Sequence, residues 1–395
     1  MDVLRSAGRI GPVGFKEPAE FVRSAFLFAC LGIYLHHFVT TRGHMVELDF
    51  FKDLSGPGLK RSDQGMRIAV VGGGLAGIAC ARMLAVHGFS VTVFEKDQEI
   101  GGRASILSSG RSAPDHGCQY LTVRDKRFQP YLDELLNRGV MARWPARIAS
   151  CLHGTCHSVE DTEAMYIGVP GMNAIAECLG RDLDVRRGTI VSAIKRVQAG
   201  WKLFAGGKRE SFDGVVVSTP PEQVKQLLQA FPSIAAESAK VRSRPCWALI
   251  AGFDHDLPVA FDAAHFSSSP IAWAANNRSK PGRTRDEVWS ILSTPDWADS
   301  HLSLPEADVG RTLLSAFFES SGIFPSVPAS LRVHRWYYGQ AEEPLHREFL
   351  WDHALWLGAC GDWCASGRLD GAFLSGLRLA EAIIKDCPRR VAVSR

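Results

Sequence analysis

The segment from Met66 to Glu95 constrains the fold of this 395-residue chain more than any other segment. Residues 66–71 form a short apolar stretch, which is typical of a strand buried in a parallel sheet. The glycine-rich turn Gly72–Gly77 follows, then a helical run to Val86, a second apolar strand and Glu95 at its end. This order of strand, glycine turn, helix, strand and acid predicts a dinucleotide-binding βαβ unit.

Each part of this unit has a physical task in holding a dinucleotide. Gly72 allows the tight turn, Gly74 lets the backbone approach a pyrophosphate, and Gly77 lets the helix pack closely on the strand. Ala76 belongs to the first helical turn, whose free N–H groups face the phosphates. Glu95 stands about 20 residues further on, where a carboxylate accepts a hydrogen bond from a ribose 2′-hydroxyl.

Composition and charge exclude several other classes of protein. Apolar residues make up 46% and charged residues 22% of the chain, which are the proportions of a soluble globular protein. A formal net charge of +3 and the lack of a Lys/Arg run argue against a nucleic-acid partner. The scattered cysteines are interpreted as small buried hydrophobes in a reducing compartment, so we expect a cytoplasmic protein with no metal bound.

Residues 1–65 differ from the rest of the chain. Their sustained apolar run, Ala25–Leu35, has roughly half the length that spans a bilayer, and its flanks do not fit a signal peptide. We therefore expect no membrane partner. Met66 directly precedes the first strand, which suggests the hypothesis that it is the working start and that the extension is dispensable.

The sequence after Glu95 favours FAD over NAD as the dinucleotide. Residues 96–103 end in Gly101-Gly102-Arg103 and resemble the extended FAD signature of flavoproteins of the amine-oxidase and glutathione-reductase type. The resemblance implies that Gly102 lets the chain run along the dinucleotide, and that Arg103 meets the diphosphate or the flavin side.

The C-terminal end contains a second flavin motif. Leu355–Cys360 is interpreted as a buried strand, and Asp362 after it can hold a ribityl hydroxyl. A helix then begins with the small residues Gly371 and Ala372, and its N-terminus would stabilise the negative charge of a reduced flavin. In such flavoproteins a β-meander covers the adenine, which implies a contact near Val191, in the predicted strand Thr189–Ile194.

These features predict a mixed α/β (α+β) fold. A Rossmann-type FAD-binding domain is interleaved with a substrate domain that is built on a mixed β-sheet with helices. We assign residues 66–125, 180–230 and 345–390 to the FAD-binding domain, and residues 126–179 and 231–344 to the substrate domain.

The segment Asp115-His-Gly-Cys-Gln119-Tyr120 narrows the resemblance. It is similar to the segment of renalase-like flavoproteins that places a Gln-Tyr pair beside the isoalloxazine. The similarity is closest to the bacterial renalases and extends from Met66 onward. Further matching segments are Pro170–Ile175, Trp273–Pro281, His334–Tyr337 and Cys360–Arg368.

The resemblance implies a non-covalent FAD and oxidation of the 2- and 6-dihydro isomers of NAD(P)H. A hydride would pass to flavin N5, and dioxygen would take the electrons to give hydrogen peroxide. Because the product regains an aromatic ring, the protein must mainly orient the donor, and we name no obligatory base. The candidate residues are Gln119 and Tyr120 beside the flavin, Trp336 in the active-site wall, and Asn277, Arg278 and Lys280 for the substrate.

Two other functions remain open from the sequence. A flavin amine oxidase commonly places a lysine near N5, bridged by water, and an aromatic cage around the amine. Lys240 and Lys280 are candidates for this lysine by position only. A flavin-binding protein without turnover is the lesser alternative. The set Cys151, His153, Cys156 and His157 matches neither zinc-finger nor haem spacing, and His153-Gly154 instead predicts a hairpin turn.

Overall fold

The computed structural model describes residues 50–51, 65–107, 113–160 and 163–387. The apolar run at 25–35 lies outside these residues, and the hypothesis that Met66 is the working start stays a prediction. None of the described helices is both long and apolar enough to cross a membrane.

The strands are, in chain order, β1 (Arg67–Val71), β2 (Ser90–Phe94), β3 (Met141–Arg143), β4 (Ile148–Leu152), β5 (Thr155–Ser158), β6 (Tyr166–Gly168), β7 (Asp184–Arg186), β8 (Val191–Val197), β9 (Gly200–Ala205), β10 (Lys208–Phe212), β11 (Gly214–Val217), β12 (Ser243–Phe253), β13 (Ala263–Ser267), β14 (Ile271–Asn276), β15 (Glu287–Ser293), β16 (Ser330–Ala341), β17 (Leu350–Asp352) and β18 (Leu357–Ala359). The α-helices are α1 (Leu75–Val86), α2 (Gln129–Asn137), α3 (Ala174–Gly180), α4 (Pro221–Leu227), α5 (Pro232–Ser238), α6 (Pro295–Ser300), α7 (Glu306–Ser321) and α8 (Leu369–Asp386).

The first sheet has the order β17-β18-β11-β1-β2-β7. Strands β18, β11, β1, β2 and β7 run parallel, and β17 pairs with β18 in the antiparallel sense. Residues 68–71 of β1 and 91–94 of β2 are buried, as the apolar strand pattern requires. The predicted Rossmann-type fold is confirmed, and β8 and β9 form the predicted hairpin. The third strand of this meander is β10, whereas the apolar run that follows it, β11, belongs to the first sheet.

Helices α1 and α8 cross at a point where no side chain fits. A Cβ at Gly376 of α8 would overlap the carbonyl oxygen of Ala76 in α1. A Cβ at Gly77 would likewise overlap the carbonyl oxygen of Gly72, as expected from its role in close packing. These two contacts hold the N-terminal end of α1 against the end of β1 and against the middle of α8.

The second large sheet has the order β16-β12-β15-β14-β13-β4-β5. Helix α7 buries Leu313 and Phe317 in one apolar core with Leu249 and Trp289 of this sheet. The strands of the two large sheets alternate in sequence, but the division into a cofactor domain and a substrate domain stays a prediction.

The hairpin β4–β5 corrects the interpretation of the cysteines. Its turn is His153-Gly154, as predicted, and the positive φ values of 48° and 79° suit a two-residue hairpin turn. The register places Cys151 directly opposite Cys156, and the two form a disulfide. The expectation that all cysteines are reduced is therefore wrong for this pair, because the strand pairing brings the two thiols together. Because these two cysteines form a disulfide, the cysteine content no longer supports the expectation of a reducing compartment.

The free cysteines among the described residues are Cys80, Cys118, Cys178, Cys246, Cys360, Cys364 and Cys387. In the described part of the chain no group of three or more His, Cys, Asp or Glu side chains is arranged to hold a metal ion.

Candidate active site

A cavity of about 1430 Å³ lies between the end of β1, the N-terminal ends of α1 and α8, and the second large sheet. Its volume exceeds the roughly 300–1,000 Å³ that is typical of a site for one small ligand. The cavity therefore has room for a cofactor and a second molecule.

One end of the cavity is formed by the dinucleotide-binding unit. Gly72 has φ +107°, a conformation that side chains disfavour, and the position of a Cβ on Gly74 is open space. Glu95 accepts hydrogen bonds from the backbone N–H of Gly73 at 2.7 Å and of Asp97 at 2.9 Å. Burial raises the pKa of Glu95, although these two donors lower it. The carboxylate therefore anchors the glycine turn and also lines the cavity.

Arg103 and Asp362 meet each other on the cavity wall. The guanidinium donates to both carboxylate oxygens, one of them at 3.0 Å, and to the carbonyl of Gly339 at 3.3 Å. The sequence suggested separate roles for these residues, Arg103 at the diphosphate or the flavin side and Asp362 at the ribityl chain. The structure joins them in one ion pair that links the N-terminal and C-terminal flavin motifs.

Most of the residues predicted to bind the cofactor line the cavity. They are Gly72, Gly74, Ala76, Glu95, Gly102, Arg103, Tyr120, Val191, Asp362 and Ala372, and Trp336 lines it too. Gly77 and Gly371 do not line it. A Cβ at Gly371 would overlap the hydroxyl of Ser366, so this glycine serves the packing of the turn before α8.

Lys280, one of the three predicted substrate residues, lies in a buried ionic cluster instead of on the cavity wall. Asp115 accepts hydrogen bonds from Lys280 Nζ at 2.9 Å and from Arg283 Nη2 at 2.8 Å. Lys280 also donates to Gln119 Oε1 at 3.0 Å, and Gln119 Nε2 donates to the carbonyl of Asp115 at 2.8 Å. We call these four residues the Asp115 cluster.

Every side chain of the Asp115 cluster is buried. Burial alone would raise the pKa of Asp115, but Lys280 and Arg283 hold it below the ordinary value. Gln119 therefore faces this cluster and not the cavity. The cluster fixes the backbone of the segment 116–120, whose residues His116, Gly117, Cys118 and Tyr120 do line the cavity.

The other two substrate candidates are also engaged in internal contacts. Asn277 Oδ1 accepts from the N–H of Asp115 at 3.2 Å, and its Nδ2 donates to Ser290 Oγ at 2.7 Å. Arg278 forms ion pairs with Asp256 and with Glu287. The polar turn 277–280 therefore acts in packing, because its side chains point away from the cavity.

The second large sheet and the segment 116–120 supply an aromatic wall, defined as His116, Tyr120, His265, Trp273, His334 and Trp336. All six line the cavity. Tyr120 lies 5.3 Å from Trp273 between ring centroids, and His265 lies 4.5 Å from Trp273. His116 stacks on Trp336 at 4.9 Å, and Trp336 Nε1 donates to the carbonyl of His116 at 2.9 Å.

The histidines of the aromatic wall stay neutral near pH 7. Burial, and then the neighbouring His334, lower the pKa of His116 to about 4. Burial also lowers the pKa of His334 and of His265. The wall therefore offers apolar ring faces without a formal charge. Sequence reasoning did not assign a role to His116, His265, Trp273 or His334, although three of them lie in segments that carry the resemblance.

Two known families match adjoining parts of this chain. An NAD(P)-binding Rossmann-like domain matches residues 70–135, and the family described as flavin containing amine oxidoreductase matches residues 125–384. The chain belongs to this flavin-containing family. FAD is its cofactor, as the two flavin motifs predict.

The individual relatives share short stretches or the fold alone. A 4,4'-diapophytoene desaturase of Staphylococcus haemolyticus is 40% identical over 78 residues, 17% of this chain and 16% of the desaturase. The chain thus aligns with less than a fifth of the length of such curated relatives. Cyclohexylamine oxidase of Brevibacterium oxydans IH-35A has a TM-score of 0.65 at 14% identity, covering 81% of this chain and 99% of that chain.

A protein of Exiguobacterium sp. 255-15, named as a protoporphyrinogen oxidase, has a TM-score of 0.66 at 13% identity. The alignment covers 82% of this chain and 99% of that chain. At these identities the structural matches show the fold and no specific activity.

The residues at the cavity fit FAD. The open space beside Gly74 would let a diphosphate approach the backbone, and the Glu95 carboxylate on the cavity wall would accept a hydrogen bond from a ribose hydroxyl. Thr219 Oγ1, on the cavity wall beside Gly72, is buried and has no hydrogen-bond partner among the described residues. Gly74, Glu95, Arg103, Asp362 and the N-terminal end of α8 at Ala372 are the groups that would hold the cofactor.

Proposed function

We propose that the protein is an oxidase of 2- or 6-dihydro isomers of NAD(P)H. The substrate loses a hydride and becomes NAD(P)⁺, while dioxygen gains two electrons and two protons to become hydrogen peroxide. The chemistry that bound FAD supplies is hydride acceptance at N5 and electron transfer to dioxygen. The protein's own residues hold the substrate ring, orient it and exclude water.

The aromatic wall, which has no lysine of the described residues beside it in the cavity, is the observation that carries this proposal. A dihydronicotinamide ring is planar and neutral, and it stacks well on ring faces such as Tyr120, Trp273 and Trp336. Its oxidation releases no proton from the reacting carbon, since a hydride leaves and aromaticity is regained. The neutral His116 and His334 accordingly need not act as bases. The wall's task is to orient the donor carbon.

The positions of the lysines argue against amine oxidation. Among the described residues that line the cavity, Lys96 is the one lysine, and it is adjacent to Glu95 at the dinucleotide end. Lys280 is bonded within the Asp115 cluster, and Lys240 pairs with Glu237 at the surface. Neither candidate lines the cavity, whereas an amine oxidase of this family would place its lysine near flavin N5.

The cysteines of the cavity support non-covalent binding of FAD. Burial raises the pKa of Cys118 and of Cys246 to about 11. Both thiols therefore stay protonated and are poor nucleophiles for a link to the flavin. Acid precipitation of the protein should leave all of the flavin in the supernatant, whereas flavin that stays with the precipitate would contradict this expectation.

Anaerobic mixing tests the proposed function. The purified yellow protein is mixed separately with 6-dihydro-NAD, 2-dihydro-NADP, cyclohexylamine and putrescine, and flavin absorbance is followed. We expect bleaching by a dihydronicotinamide and none by either amine, followed on admission of air by one hydrogen peroxide per substrate oxidised. Bleaching by an amine alone would establish the rival function. No bleaching by any of the four would favour a flavin-binding protein without turnover.

A further inference from the structure

Arg335 differs from the other arginines of the cavity in its lack of an anionic partner. Arg103 pairs with Asp362, Arg124 pairs with Glu163 at 2.8 Å, and Arg368 lies 3.5 Å from Asp370. Arg335 also lines the cavity, but its side-chain contacts are with Trp247 and Tyr337, and it forms no ion pair with a carboxylate of the described residues. The Arg335 guanidinium therefore lies on the partly buried cavity wall without a neighbouring carboxylate from the described part of the chain to balance its charge.

Aromatic side chains fix the orientation of Arg335. It stands directly opposite Trp247 in the pairing of β16 with β12, and its guanidinium lies 4.4 Å from the centre of the Trp247 ring. Its Nη1 donates to Tyr337 Oη at 2.8 Å. The Nε–H is buried and has no hydrogen-bond partner among the described residues. Because the guanidinium stacks on Trp247, its remaining N–H donors point outward in the plane of the guanidinium group. This geometry suits a phosphate or a carboxylate, which accepts two parallel hydrogen bonds.

Arg335 lies between two residues of the aromatic wall, His334 and Trp336, along β16. Along β16, His334 and Trp336 face His116, whereas Arg335 and Tyr337 stand on the opposite face, because side chains alternate in a strand. Both faces border the cavity since β16 is the edge of its sheet. Tyr337 is 56% exposed, so Arg335 stands where the cavity opens to solvent.

We propose that Arg335 is an anion subsite that binds a phosphate group of the substrate while the substrate's ring lies on the aromatic wall. This inference rests on the proposed function and adds to it the residue that binds the substrate's phosphates. The preferred donor is a dihydronicotinamide nucleotide with its phosphates, and a phosphate-free donor binds more weakly. A primary amine substrate offers no group for this arginine.

The test compares two donors that differ in phosphate. Anaerobic flavin reduction is measured against the concentration of 6-dihydro-NAD and of 6-dihydronicotinamide riboside, which lacks phosphate. In Arg335→Gln the dissociation constant for the dinucleotide should rise about tenfold relative to that for the riboside. Arg335→Lys should recover part of this ratio. Arg332→Gln is the matched control, because this arginine is on the same strand but does not line the cavity.

The remaining outcomes separate the inference from the proposed function. An equal loss for both donors in Arg335→Gln would show a structural role and overturn the subsite. Loss of FAD from Arg335→Gln would show that Arg335 binds the cofactor and not the substrate, which would also overturn the subsite. If neither donor bleaches the wild-type flavin, the proposed function fails. Calorimetric titration of the wild-type protein with inorganic pyrophosphate then tests the subsite by itself. Binding that is lost in Arg335→Gln supports the subsite, whereas no binding to wild type, or equal binding to the variant, rejects it.

Discussion

Replacing Asp115 by asparagine should destabilise the protein strongly. The carboxylate accepts hydrogen bonds from Lys280, from Arg283 and from the backbone N–H of Met172 at 2.9 Å. The side chains of Asp115 and Lys280 are 0% exposed and that of Arg283 is 4% exposed. Asparagine keeps the size and one acceptor oxygen but removes the charge, so that two buried cations lose their counter-ion.

The cost of this change follows from the burial of the pair. Removing one partner of a buried ion pair typically costs about 3–5 kcal/mol of unfolding free energy. The control is Asp262→Asn, whose partner Arg147 is 66% exposed, and a surface pair of this kind contributes about 0–1 kcal/mol. The difference between the two variants should therefore be at least about 2 kcal/mol.

Urea denaturation of the FAD-saturated proteins measures this difference, with circular dichroism and flavin fluorescence as independent probes. Because the folded-state pKa of Asp115 is lowered, its contribution is complete above the ordinary aspartate value of about 3.9 and is lost as pH falls through the folded-state pKa. The measurement at pH 7 thus reports the full effect. A loss in Asp115→Asn no larger than in Asp262→Asn would refute the reasoning.

Three further predictions test the fold and the site. Gly376→Ala puts a methyl group against the carbonyl of Ala76, so we expect a loss of about 1–3 kcal/mol or more and weaker FAD retention, measured by thermal unfolding and flavin content; an unchanged melting temperature would contradict the tight helix crossing. Glu95→Gln replaces an acceptor of the Gly73 N–H, and FAD affinity from fluorescence quenching should fall about tenfold, whereas a change under about twofold would speak against this anchor. In His116 the folded-state pKa of about 4 lies below the unfolded value of about 6.5, so the unfolded chain takes up the proton first and stability falls as pH drops between these values. Wild type should therefore lose about 2 kcal/mol more than His116→Phe between pH 7 and pH 5, and equal losses would exclude this titration.

The local parts of the fold could be predicted because they depend on short-range geometry. The turn at Gly72, the packing at Gly77 and the acid at Glu95 lie within one βαβ unit, where strand periodicity and glycine positions are visible in the sequence. The His153-Gly154 turn was predictable for the same reason. FAD as cofactor came from motif resemblance, and membership of the family supports it.

The tertiary structure alone decided which distant groups meet. Arg103 pairs with Asp362 over 259 residues, and Lys280 pairs with Asp115 over 165 residues. The strand register of β4 and β5 brings Cys151 and Cys156 together, and the choice of strand face sends Lys280 into a buried cluster while His116, Trp273 and Trp336 line the cavity. Sequence periodicity marks one face of a strand as buried, but it does not tell whether that face meets a protein core or a ligand cavity. That choice depends on how separate sheets pack, which no short stretch of sequence encodes.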